Sequence, residues 1–330
     1  KIKNDDAILF KPDTSYRLAQ SGGWGNPNTL LSGENHPNGV IINYYLKNLK
    51  KDDYLRIDIE NKDGSLIRSF TNNKNFTIRN NTDKKNLMVG NPVLSNPNDI
   101  DNALGSGNLV SLNPKSGGNR LIWDMRYPGF KSFDGMVLYS SPNVGPKVTP
   151  GKYNLKMTYN NTVITKELEI VKDPRVKNSQ EDFEKQLEFL IEVRNEVSRA
   201  NQKIIDIRKI KSDMSFIKDK TDNNVSLKTM IDEYLIDLSI IENNIHMTKN
   251  QSRQDPLNFG IRINNRIAFL LADSQRGDFA PTDQSKEFFE DIKKELDVQV
   301  DSLIEVVNSH SQKIKDYIEA NKIELISFEN

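Results

Sequence analysis

Cysteine is absent from the 330 residues, which excludes disulfides, thiolate zinc sites and cysteine nucleophiles. Histidine occurs only at His36, His246 and His310. These positions lack the three- or four-residue spacing with which a helix presents two metal ligands. We therefore expect neither a zinc site nor a histidine-dependent catalytic triad.

Long apolar runs and an excess of charge are also missing. The longest apolar run covers residues 267–272, far below the roughly 20 residues that cross a bilayer. Forty-six basic residues balance 46 acidic ones, so no general nucleic-acid footprint is present. Hydrophobic residues make up 36% and charged residues 28%, which is typical of globular chains of about two domains. We expect no transmembrane segment and no nucleic-acid partner.

The N-terminus, Lys1-Ile2-Lys3-Asn4, has neither an initiator Met nor an apolar signal core. This beginning predicts a processed product or a fragment of a longer protein.

The first half of the chain has the pattern of short strands. An Asp-Gly turn at residues 63–64 joins residues 54–59 to residues 66–70, and Asn160-Asn161 joins two further alternating segments. Strands at this spacing predict an immunoglobulin-like β-sandwich over residues 1–172. Residues 72–118 are rich in Asn, Gly, Pro and Ser and predict a long irregular excursion from it.

The second half has the pattern of helices. Apolar residues recur every three or four positions from Phe183 to Ile217, then over residues 227–245 and 263–271. Thr282 is the predicted N-cap of a fourth helix extending to about Val307. Each helix has one apolar stripe, which predicts an antiparallel four-helix-type bundle over residues 173–330. The fold class is therefore multidomain β plus α.

The Trp123-Asp124 pair raises the question of a β-propeller. A propeller repeats such a pair about every 40 residues, whereas this pair occurs once. On a strand, Trp123, Met125 and Tyr127 would share a core-facing side, with Asp124 and Arg126 on the other. The two charged residues would then form an ion pair or contact a neighbouring segment.

One loop has the composition of a calcium site. Residues 96–102 concentrate Asn and Asp oxygens, but the distal bidentate Glu of a calcium loop is missing. Whether this loop binds calcium stays open at this point. No pattern indicates a cofactor, and we assign no catalytic residues and no metal ligands.

Several motifs occur in the order of one family. They are Ala7–Pro12 with Ser15-Tyr16-Arg17, Asn38-Gly39-Val40, residues 121–128, Pro150-Gly151, Asp173-Pro174-Arg175, and Asp255-Pro256 followed by Asn264-Asn265. Together they resemble the C-terminal region of large exported bacterial proteins whose N-terminal part is a sortilin-like β-propeller with Asp-box repeats. Such proteins are often labelled glycosyl hydrolases.

The resemblance implies an exported protein that is cell-surface, outer-membrane-associated or periplasmic, with its propeller upstream of this chain. An Asp-box is not found here, since Ser132-Phe133-Asp134-Gly135 has its Gly one place too early. The enzymatic label would belong to the propeller, and the resemblance supplies no catalytic residue for this chain.

Two functional hypotheses follow. The first is a non-catalytic accessory region that docks on its own propeller or on a protein partner in the cell envelope. The alternative is a carbohydrate-binding or glycoside hydrolase-associated fragment, with a glycan in a cleft between sandwich and bundle. Trp24 and Tyr127 would then act as ligand-binding aromatic platforms.

Overall fold

The computed structural model describes residues 6–18, 38–72, 112–221 and 224–323. Within these ranges the strands are β1 (Ala7–Leu9), β2 (Ser15–Arg17), β3 (Val40–Leu46), β4 (Leu55–Glu60), β5 (Leu66–Thr71), β6 (Gly117–Trp123), β7 (Gly151–Tyr159) and β8 (Thr162–Lys172). The helices are α1 (Gln180–Lys220), α2 (Val225–Ile245), α3 (Pro256–Phe259), α4 (Ile263–Asp273) and α5 (Asp283–Ala320).

Both hairpins predicted from turn chemistry are confirmed. Strands β4 and β5 pair antiparallel, and Gly64 in the turn between them has a φ of 86°. Strands β7 and β8 also pair antiparallel, with Asn160 of the turn at a φ of 49°. Asn tolerates this left-handed conformation better than most residues, which is why these turns form where they do.

The strands form two sheets that share one core. One sheet has the order β1-β3-β6 and the other the order β2-β8-β7-β4-β5, with β2 and β8 as a parallel pair. One apolar cluster contains side chains of both sheets, including Ile42 and Trp123 from the first and Ile57 and Leu155 from the second. Alternating burial along β3 and β7 gives each strand an inner face for this cluster.

The segment around Trp123 begins as a strand and ends as a turn. Strand β6 stops at Trp123, and Met125 has a left-handed φ of 62°. Trp123, Met125 and Tyr127 nevertheless all belong to the core, as their spacing predicts. Arg126 is also buried, at 7% exposure, although the sequence places it on a polar face. The turn at Met125 removes the strict alternation that a continuous strand would impose.

The chain divides into two compact units. The first contains residues 1–131, 143–194 and 272–282, and the second contains residues 132–142, 195–271 and 283–330. Both units are therefore discontinuous along the chain. The last strand ends at Lys172 and the first helix begins at Gln180. The division into domains 1–172 and 173–330 stays a prediction.

The four long amphipathic segments are helical over nearly the predicted ranges. Helix α5 begins at Asp283, directly after the predicted N-cap Thr282, but continues beyond Val307 to Ala320. Inside the second unit, α2 contacts α5 through Tyr234 beside Ser311 and through Asn244 bonded to Gln299. The fold class of β sheets plus helices is confirmed at this level.

Candidate functional site

Several residues singled out from the sequence, namely Trp24, His36 and the loop 96–102, lie outside the described residues. Tyr127 is described, and it is 5% exposed within the core of the first unit. Burial raises the pKa of its hydroxyl group. So little of its ring faces solvent that a core position fits Tyr127 better than a sugar platform does.

The Trp-Asp pair holds a turn together. The indole Nε1 of Trp123 donates to the main-chain oxygen of Arg126 at 3.0 Å. The main-chain N–H of Arg126 donates to the Asp124 carboxylate at 3.2 Å. Both contacts fix the main chain of the turn, so the framework interpretation of this pair fits its geometry.

The same turn brings two cations side by side. Residues 125–127 run antiparallel to residues 146–148, and Arg126 lies opposite Lys147 in an isolated bridge. Side chains directly opposite each other in antiparallel pairs are neighbours, and two like charges there repel. This repulsion has to be offset by other contacts.

Arg126 finds those contacts in neighbouring segments. Its Nη1 donates to the main-chain oxygen of Gly145 at 2.7 Å and to Oε1 of Gln275 at 2.9 Å. The sequence predicted that Arg126 would either pair with Asp124 or contact a neighbouring segment. The guanidinium group of Arg126 makes the second kind of contact. Lys147 donates from Nζ to the main-chain oxygen of Leu18 at 2.8 Å.

A third cation comes from strand β2. Arg17 is 4% exposed, and its guanidinium carbon lies 4.6 Å from the centre of the Phe183 ring. Its Nη2 is 3.2 Å from Oδ1 of Asp278 and donates to Oε1 of Gln186 at 3.4 Å. The aromatic face and the carboxylate each stabilise the buried cation.

We call Arg17, Arg126 and Lys147 the basic cluster. Residues 272–282 supply much of its polar surroundings, because Gln186 of α1 donates to the main-chain oxygens of Ser274, at 3.0 Å, and Gly277, at 2.6 Å. All of these residues belong to the first unit. The cluster therefore has a structural role in attaching residues 272–282 to that unit.

The electrostatics of the basic cluster favour negative charge. Burial, and then repulsion by Arg126 and Arg17, lowers the pKa of Lys147 to about 8, against the opposing attraction of Asp278 and Asp124. Burial also lowers the pKa of Arg17, and Arg126 adds to this effect while Asp278 opposes it. Buried cations that depress each other's pKa have too few counter-charges for their number.

Several buried polar atoms around the cluster have no hydrogen-bond partner within the described parts of the chain. They are Nε and Nη1 of Arg17, Oδ2 of Asp278 and Oγ of Ser274. Buried polar atoms are nearly always paired in native proteins, so each one calls for an explanation. Here donors and acceptors are left over in the same neighbourhood.

The second unit contains a different buried polar cluster. Asn264 donates from Nδ2 to Oδ1 of Asn201 at 3.0 Å and lies 3.2 Å from Nδ1 of His246. Burial, with Arg208 adding to it, lowers the pKa of His246 to about 4. The neighbouring Asn265 bonds both main-chain groups of Tyr139, at 2.7 and 3.0 Å. These contacts hold residues 132–142 in the second unit.

Glu242 is the charged member of this region and is fully compensated. It accepts from Arg208 at 2.8 Å and from Lys211 at 3.0 Å while remaining 4% exposed. Burial alone would raise the pKa of Glu242, but these two hydrogen bonds outweigh burial and lower it. His310 is likewise engaged, with Nε2 2.9 Å from the Asp237 carboxylate.

Helix α2 also has apolar residues on its exposed side. Its buried face includes Leu227, Ile231 and Leu238, yet Ile236 is 59% exposed and Ile240 is 56% exposed, one turn apart. We call Ile236 and Ile240 the exposed apolar pair. A helix that is apolar on more than one side is usually covered on more than one side.

Comparisons with known proteins add no family to this geometry. No family model matches the sequence, and no curated protein or solved structure is significantly similar to it. The family resemblance therefore stays a prediction. In the described parts of the chain, no group of three or more His, Asp or Glu side chains is placed to hold a metal ion.

Sequence patterns did not identify the basic cluster. Arg17 stands within a family-like motif, but Lys147 and Asp278 lie in segments without periodicity. The sequence gives only an indirect indication of the cluster. Arg17 lies in a short strand, and Asp278 lies far along the chain in a segment between two helices. Only the fold brings Arg17, Lys147 and Asp278 together.

Proposed function

We propose that this chain is a non-catalytic accessory region of a larger exported, cell-envelope-associated protein, and that it docks on a folded protein partner. That partner is the chain's own upstream β-propeller or another envelope protein. Export and the upstream propeller rest on the family resemblance alone. Among the described residues, no helix is long and apolar enough to cross a membrane.

The observation that carries the docking proposal is the exposed apolar pair of α2. Ile236 and Ile240 are each more than half exposed, and Val225 at the start of the same helix is exposed as well. Single exposed apolar residues are ordinary, whereas adjacent ones on a helix that is already apolar on its buried side favour a covering partner.

The hydrogen bonds of several buried polar side chains support a structural role for this chain. Arg126, Gln186 and Asn265 are bonded to main-chain groups of irregular segments instead of to one another. Such contacts make irregular segments rigid, which suits a surface that presents a fixed shape to a partner.

We also propose the finer fold types. Two mostly antiparallel sheets around one core support an immunoglobulin-like sandwich. Contacts of α2 with α5, together with the ion pair of Arg266 with Glu295, support a helical bundle in the second unit.

Site-specific photo-crosslinking in the native cell tests the docking proposal. A photoreactive amino acid at Ile236 should give an adduct with one protein that mass spectrometry identifies, either in the same polypeptide or in an envelope protein. The matched control is Val163, which is 56% exposed on strand β8. Equal adducts from both positions would contradict the proposal.

A glycan assay tests the non-catalytic part. The purified chain should neither hydrolyse glycans nor bind a glycan array. Hydrolysis that disappears when one residue of this chain is substituted would overturn the proposal and favour the carbohydrate-binding alternative.

A further inference from the structure

We propose that the basic cluster of the first unit binds a small carboxylate that also bears a hydrogen-bond donor, such as an α-hydroxy acid. The site would consist of Arg17, Arg126 and Lys147, with Asp278 and Ser274 beside them. This inference is independent of the docking proposal, because it uses none of the residues of α2.

The basic cluster has more cations than carboxylates. Arg17, Arg126 and Lys147 share the attraction of Asp278 and Asp124, and Asp124 also attracts the buried Arg68. Buried charge without a counter-charge is costly, and a bound monoanion would remove that cost.

Arg17 also has unused hydrogen-bonding capacity. Arg17 is 4% exposed, and its Nε and Nη1 donors have no partner among the described residues. Its Nη2 is already committed to Asp278 and Gln186. A guanidinium with two uncommitted donors is suited to the two oxygens of a carboxylate.

The uncommitted acceptors specify the rest of the ligand. Oδ2 of Asp278 is buried and has no partner among the described residues, although Oδ1 of the same carboxylate is 3.2 Å from Arg17. Oγ of Ser274 is also buried without a partner in these parts of the chain. The Ser274 hydroxyl could donate to a bound carboxylate, but a carboxylate alone would leave Oδ2 of Asp278 unpaired, whereas a neighbouring hydroxyl group of the ligand could donate to it.

Binding of glycolate to the full chain, measured by calorimetry at pH 7, tests the site. Glycolate should bind saturably and more tightly than acetate, while chloride at matched ionic strength should not compete. Arg17→Lys keeps the charge but removes the paired donors, so it should weaken binding at least about tenfold. The control Arg120→Lys changes an exposed arginine of β6 and should have no effect.

A second variant keeps the test decisive if Arg17→Lys fails to fold. Ser274→Ala removes a hydroxyl donor for the bound carboxylate and should weaken glycolate binding about threefold. Binding should also weaken between pH 7 and pH 9, as Lys147 loses its proton. Absence of saturable binding to the folded wild-type chain, or equal binding by Arg17→Lys and Arg120→Lys, would overturn the proposal.

Discussion

The two units bury charge in opposite ways. In the second unit, Glu242 is buried with two cationic partners, Arg208 and Lys211, both within 3.0 Å. In the first unit, Arg17, Arg126 and Lys147 lie close enough to repel one another, and Asp278 forms an ion pair with Arg17. Compensation explains why a charge tolerates burial, and an uncompensated cluster indicates either stored destabilisation or a ligand.

The largest expected effect is the acid sensitivity of the second unit. His246 has a pKa of about 4, below its ordinary 6.5, so the unfolded chain binds more protons between these values. Stability should therefore fall as pH drops through this window, by about 2 kcal/mol at pH 5. Urea unfolding at several pH values measures it. His246→Gln should flatten the profile, so an unchanged slope in the variant would contradict the assignment.

Removing the compensated charge should have the next largest effect. Glu242→Gln leaves Arg208 and Lys211 without their carboxylate, and we expect a loss of about 2 kcal/mol, moderated because both cations are partly exposed. Glu233→Gln on the exposed side of α2 is the matched control. Denaturant midpoints at pH 7 compare the two, and similar midpoints would show that Glu242 contributes no more than a surface charge.

A smaller loss is expected from Asp278→Asn. Asn keeps an acceptor for Arg17 but leaves the basic cluster without its nearest negative charge, so stability should drop by about 1 kcal/mol. Added glycolate should recover part of the loss if the cluster accepts a carboxylate. Thermal unfolding with glycolate or chloride at equal ionic strength checks this, and identical shifts with both salts would count against a specific site.

The smallest effect concerns alkaline pH. The pKa of Lys147, about 8, lies below its ordinary 10.5, so the unfolded chain binds more protons in this window and stability should rise as pH increases through it. Because Lys147 is only partly buried, we expect the smallest slope here. Lys147→Met should abolish this rise in stability. Hydrogen exchange of the β7 amides, compared between wild type and variant at each pH, measures it. An unchanged slope in the variant would assign the effect elsewhere.

The regular elements were predictable because their signals are local. The turns at Gly64 and Asn160 and the apolar stripe from Phe183 to Ile217 each follow from a few neighbouring residues. Burial of Arg126 was not predictable, since one left-handed residue, Met125, ends the alternation that a strand pattern assumes. The basic cluster was also out of reach, because residues 17, 147 and 278 are joined only by tertiary contacts.

The discontinuity of the first unit bears on how this protein is made. Residues 272–282 belong to that unit, although helix-forming sequence of the second unit precedes and follows them. On a ribosome, Arg17 and Arg126 would emerge long before Gln275 and Asp278, their partners in the folded chain. Synthesis must therefore pass residue 282 before the first unit can be completed, and a fragment ending at residue 172 would lack those partners permanently.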